Sequence, residues 1–138
     1  MDMAGESESG LGPDDARNFN LPKTENAFLN SRGQMLHYRV YLPSNENQVE
    51  SLIIFFHGHG AHINSPAPVR FGQGLVREIN CGVVMLDLVG HGWSEGERAY
   101  VEDYNHLVQD AVEFIRHVRS EDVCEKALWQ RGAARARW

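Results

Sequence analysis

The chain has 138 residues, 42% of them hydrophobic, which suits one globular domain with a buried core. Its 13 Lys and Arg against 19 Asp and Glu leave a net charge of −6, so no basic field attracts nucleic acid or an anionic membrane. No apolar run approaches the ~20 residues that span a bilayer, and the N-terminal stretch lacks the basic start and apolar core of a secretory signal.

Residues 1–22 hold Asp2, Glu6, Glu8, Asp14 and Asp15 against Arg17 alone, amid Gly and Ser, and read as a disordered acidic leader. Residues 27–29 and 36–42 are expected strands, joined by the turn Ser31-Arg32-Gly33-Gln34 and closed by Pro43. Leu52-Ile53-Ile54-Phe55-Phe56 is apolar without alternation, the pattern of a parallel-sheet strand buried on both faces. A loop with Pro66 and Pro68 follows, then Phe71, Leu75, Val76 and Ile79 at helical spacing, ended by Asn80 and Gly82. Residues 83–89 form a second buried strand. Asp103 can cap a helix whose apolar stripe is Leu107, Val108, Ala111, Ile115 and Val118. Hairpin, strand, helix, strand, helix is the opening of an α/β fold, here spanning residues 23–122. Residues 123–138 are expected to be a separate basic tail with no strand pattern, as a short surface helix, a frayed end or a product of altered splicing. Cys81 and Cys124 lie in no metal-ligand spacing and no disulfide framework, which points to a reducing, cytoplasmic compartment.

His57-Gly58-His59-Gly60 directly follows the first buried strand. Glycines there let the backbone turn sharply and present an N–H to a ligand. The loop after the third strand of an α/β-hydrolase supplies one of two such donors to the tetrahedral oxyanion. On that basis the His59 N–H is the donor and the His57 side chain braces the loop. A plain turn after a buried strand is the simpler alternative.

The loop after the second buried strand reads Asp87-Leu88-Val89-Gly90-His91-Gly92-Trp93-Ser94-Glu95-Gly96-Glu97-Arg98. Its Gly-His-Gly-x-Ser turn and Glu-Gly-Glu-Arg extension resemble the same loop in monoacylglycerol lipases and their lysophospholipase and serine aminopeptidase relatives. The upstream His-Gly-x-Gly loop and the Arg32-Gly33 turn also fit, and the resemblance covers residues 24–120. It implies a partial α/β-hydrolase sheet and hydrolysis of carboxylic esters, acylglycerols or lysophospholipids, by Ser, His and Asp without a cofactor. It also implies a structural loop of Gly90, His91, Gly92, Ser94, Glu95, Gly96 and Arg98 beside the site, with the His, Ser and Arg side chains bonding the loop into place.

Gly92-Trp93-Ser94-Glu95-Gly96 matches G-x-S-x-G letter for letter, the pattern of a nucleophile elbow. An elbow needs a strand running into the first Gly and a helix starting just after the serine. Here the strand ends before Gly92 and the next helix begins only near Asp103, so Ser94 is not expected to be the nucleophile. Nor can the fold's Ser, Asp or Glu, His order be completed from His106 and His117, which sit on or beside an amphipathic helix. The nucleophile, acid and base are expected beyond residue 138. The chain then holds half an oxyanion hole and is silent by itself, taking an ester or lipid substrate only if completed by the missing part.

Two other classes remain open. His57-x-His59-x-x-His62 resembles the H-x-H-x-D-H loop of metallo-β-lactamases, a zinc site with Ala61 where that family has its aspartate. A non-catalytic interaction protein is the other, with Leu52–Phe56 as an open sheet edge through which chains associate or fold poorly. Nucleotide binding is disfavoured, since Ile63 stands where G-x-G-x-x-G needs its third glycine.

Overall fold

Among the described residues, the elements run β1 (Glu25–Leu29), β2 (Met35–Tyr41), β3 (Leu52–Phe56), α1 (Pro66–Glu78), β4 (Gly82–Leu86) and α2 (Tyr104–Ser120). The computed structural model describes residues 25–43, 51–79 and 81–120; the leader expected at 1–22 and the tail at 123–138 lie outside them. The strands form one sheet in the order β1-β2-β4-β3. β2 pairs antiparallel with β1 and with β4, and β3 runs parallel to β4.

β4 is buried along its whole length because helices cover both faces of the sheet. Its side chains alternate. Val84 and Leu86 join Phe28, Leu36, Tyr38 and the α2 residues Phe114 and Val118 in one core layer. Val83 and Met85 join Ile63 and Cys81 in the other, against which Leu75 and Val76 of α1 pack. β3 departs from the expectation of a fully buried strand: all five residues are only half-buried. It is the outermost strand, and among the described residues nothing pairs with its free side.

Three local expectations are corrected by the packing. β4 ends at Leu86, short of Val89: at the next register position the Asp87 N–H still reaches the His37 carbonyl at 2.8 Å, but the His37 N–H and the Asp87 carbonyl both turn to the Ser94 hydroxyl instead of to each other. α1 takes in Pro66 and Pro68, since a first helical turn needs no N–H from proline. Its buried seam also shifts: Phe71 and Ile79 are 46% and 57% exposed, and Gly72 is the residue pressed onto the sheet. A Cβ there would meet the Tyr41 ring at 2.8 Å and the Met85 methyl at 2.9 Å, so any larger residue would have to push those side chains aside.

On α2, Asp103 accepts from the Asn105 N–H at 2.9 Å, as a capping residue does. Val108 is 62% exposed, and Phe114, fully buried, takes the centre of the apolar face instead. Asp110 is buried on the same face, where Arg32 grips its two oxygens at 2.8 and 2.7 Å and Asn30 donates at 3.0 Å. These bonds fasten the β1–β2 turn to α2. Among the described residues no helix is long and apolar enough to cross a membrane.

Candidate functional site

The two loops singled out by their sequence leave the C-terminal ends of the adjacent parallel strands β3 and β4, the usual edge for ligands in an α/β sheet. They are tied to each other by imidazoles. His57 donates from Nδ1 to the Gly58 carbonyl (2.8 Å) and accepts at Nε2 from the Leu88 N–H (3.0 Å). Burial holds its pKa below the ordinary histidine value, which keeps the ring neutral for this double role. His91 donates from Nδ1 to the Val89 carbonyl and accepts the Gly60 N–H at Nε2, both at 3.0 Å. The His59 side chain is exposed, and among the described residues its N–H has no acceptor. Ala61 closes the turn by donating to the Gly58 carbonyl at 3.1 Å.

The second loop spends its polar side chains on itself and on β2. Gly90, Gly92 and Gly96 all have φ in the left-handed region, at 75°, 52° and 117°. Ser94 is 1% exposed; its hydroxyl donates to the Asp87 carbonyl (2.6 Å) and accepts the His37 N–H (2.8 Å). The Glu95 carboxylate accepts the Met35 N–H at 2.7 Å. The Arg98 guanidinium gathers the carbonyls of Gly92 (2.8 Å), Gly96 (3.1 Å) and Ser94. No elbow exists around Ser94: an irregular loop precedes it and no helix follows until Tyr104.

Two residues with no assigned role in the sequence reading hold this edge together. Asp87 is fully buried, and its carboxylate accepts from the N–H groups of Ile63 (2.8 Å) and Trp93 (3.1 Å) and from His37 Nδ1 (2.6 Å). Burial disfavours the charged form, yet these three donors outweigh it and hold Asp87 below the ordinary carboxylate pKa. A signal was present: an acid closing a wholly apolar strand must find donors if it is buried. His37, inside an otherwise apolar strand, gave the matching signal.

Beside the loops lies an open cleft of about 580 Å³, with Gly60, His62, Asn64, Trp93 and Arg98 in its lining. The zinc alternative finds no support there. Both His57 ring nitrogens are engaged in loop contacts, and among the described residues no three His, Cys, Asp or Glu gather as a ligand set that His57, His59 and His62 could form.

The fold recurs in solved structures. Est1E of Butyrivibrio proteoclasticus, with ferulic acid bound, aligns with TM-score 0.57 at 21% identity, over 68% of this chain and 37% of that one. The α/β-hydrolase GrgF of Penicillium sp. sh18 aligns with TM-score 0.59 at 18% identity, over 73% of this chain and 33% of that one. The fold is that of the α/β-hydrolases. The family described as serine aminopeptidase, S33, matches residues 47–129, more than half the chain, and the chain belongs to it. Monoglyceride lipase of Rattus norvegicus is 32% identical over 95 residues, and that of Homo sapiens 31% over 96. Each match spans 67% of this chain but only 29% of the lipase.

Proposed function

We propose that this chain builds the oxyanion-binding side of a serine ester hydrolase acting on acylglycerol or lysophospholipid esters. The observation that carries this is the His59 N–H, left without an acceptor among the described residues on a loop locked from both sides by His57 and His91. A rigid backbone donor stabilises charge that develops on a carbonyl oxygen without reorganising at the moment of reaction. The second donor of such a hole belongs to the residue after the nucleophile, and the described residues present no nucleophile elbow. Ser94 is in this view a loop brace, consistent with its burial and its two backbone partners.

Grafting the matched segment into rat monoglyceride lipase, in place of its counterpart, tests the assignment. The chimera is expected to hydrolyse monoglyceride, and His59→Pro, which deletes the N–H, to lower kcat about 10²–10³-fold with KM little changed. Full activity in His59→Pro overturns the assignment. The 138-residue chain by itself is expected to give no labelling with a fluorophosphonate probe. Labelling that disappears in Ser94→Ala makes Ser94 the nucleophile instead.

The open side of β3 adds a second expectation. Five half-buried apolar residues on a strand that is outermost among the described residues offer another copy backbone groups left unpaired there. Sedimentation is expected to show a mass rising above the 15.6 kDa monomer as concentration increases. A single monomeric species at every concentration would show that the edge is covered.

A further inference from the structure

We propose that Glu25, His37 and Asp87 form a positioning relay that sets the oxyanion loop from across the sheet, beginning at its β1 edge. This rests on the assignment of that loop made above.

His37 is fully buried in β2, with Nδ1 2.6 Å from Asp87 Oδ2 and Nε2 2.6 Å from Glu25 Oε2. Both carboxylates are buried too, their side chains 0% and 4% exposed. Each ring nitrogen thus faces a carboxylate oxygen, so the ring is held at both ends and no polar atom of the pair is buried without a partner. Glu25 thereby fixes the ring, the ring fixes Asp87, and Asp87 receives the N–H groups of Ile63 and Trp93, one from each loop.

A second arm starts from the same carboxylate. Glu25 Oε1 accepts from Arg39 Nε at 2.5 Å, and the Arg39 guanidinium reaches on to the Asn64 side-chain oxygen. Ile63 and Asn64 are neighbours, so the two arms close a ring: Glu25, His37, Asp87, Ile63, Asn64, Arg39 and back to Glu25. A segment gripped twice from one buried acid has little freedom to shift, and its position is passed to His59 through the turn between them. Glu25, His37 and Asp87 do not line the cleft; they act through the loop and are positioning residues.

The test is amide hydrogen exchange on the full chain, read at Ile63 and compared with Val84 in the core of β4. Glu25→Gln is expected to speed exchange at Ile63 about tenfold while Val84 changes little, although Glu25 does not touch Ile63. That is the scale of coupling within one hydrogen-bonded network. In a His37→Phe background, with the relay cut, Glu25→Gln should leave only the smaller contribution of the Arg39 arm. Equal acceleration at Ile63 and Val84, or none at Ile63, overturns the relay. Should Glu25→Gln fail to fold, Glu25→Asp, which keeps the charge and withdraws the carboxylate by one methylene, is read by the same ratio. No ester is turned over, so a failed relay and a failed hydrolase assignment are told apart.

Discussion

Gly92→Ala is expected to destabilise the fold by about 3 kcal/mol or more, combining left-handed strain with a forced shift of a buried charge. At φ 52° any L side chain is strained. Moreover, an added Cβ would fall well inside 3.0 Å of all three Asp87 carboxylate atoms, an approach real Cβ atoms do not make. The carboxylate cannot yield cheaply, because Ile63, Trp93 and His37 all depend on its place. Gly58→Ala is the control: nothing lies within 4 Å of its added Cβ. Its effect should stay within about 0.5 kcal/mol. Urea midpoints of the two variants against the parent chain decide it, and a Gly92→Ala midpoint within error of the parent would refute the clash.

Phe114→Ala should cost about 3–5 kcal/mol, the range for truncating a buried aromatic ring. The Phe114 ring lies 5.5 Å from Phe28, 5.2 Å from Tyr38 and 6.3 Å from Phe56, so one side chain joins β1, β2 and β3 to α2. Its deletion leaves a cavity bounded by strands that cannot collapse inward independently. Val108→Ala, on the exposed face of the same helix, should change the urea midpoint by less than about 0.5 kcal/mol in stability. With total stabilities of small domains at about 5–15 kcal/mol, loss of the Phe114 ring removes a large part of the whole.

The contrast between these two helix positions shows where sequence reading works. Periodicity found both helices, because a helix face buried against a sheet repeats regularly along the chain, while turn residues marked the hairpin and unbroken apolar runs marked β3 and β4. It misplaced the centre of α2, since Val108 and Phe114 are both apolar and only the neighbouring strands decide which is covered. On α1 the same limit applied to Phe71 and Gly72: a glycine carries no hydropathy signal, yet it is the position that lies closest against Tyr41 and Met85. The loops were legible for a different reason. Glycines in the left-handed region and histidines between them leave a literal record in the sequence. Asp87 and His37 were harder because their significance is pairwise: each explains the other only once β2 and β4 are known to be neighbours.

That neighbour relation has a consequence during synthesis. Of the four described strands β4 is made last, yet it stands between β2 and β3, which share no ladder of their own. The β1–β2 hairpin and β3 therefore emerge from the ribosome without a common partner. β3 precedes its register partner by roughly 30 residues, or about 1.5–6 s at ~5–20 residues per second of translation. During that interval the nascent chain carries a lone two-stranded hairpin, marginal in water, and a bare apolar strand. Synthesis that pauses within α1 keeps the hairpin and β3 apart, and only when β4 has emerged can these four strands join in one sheet.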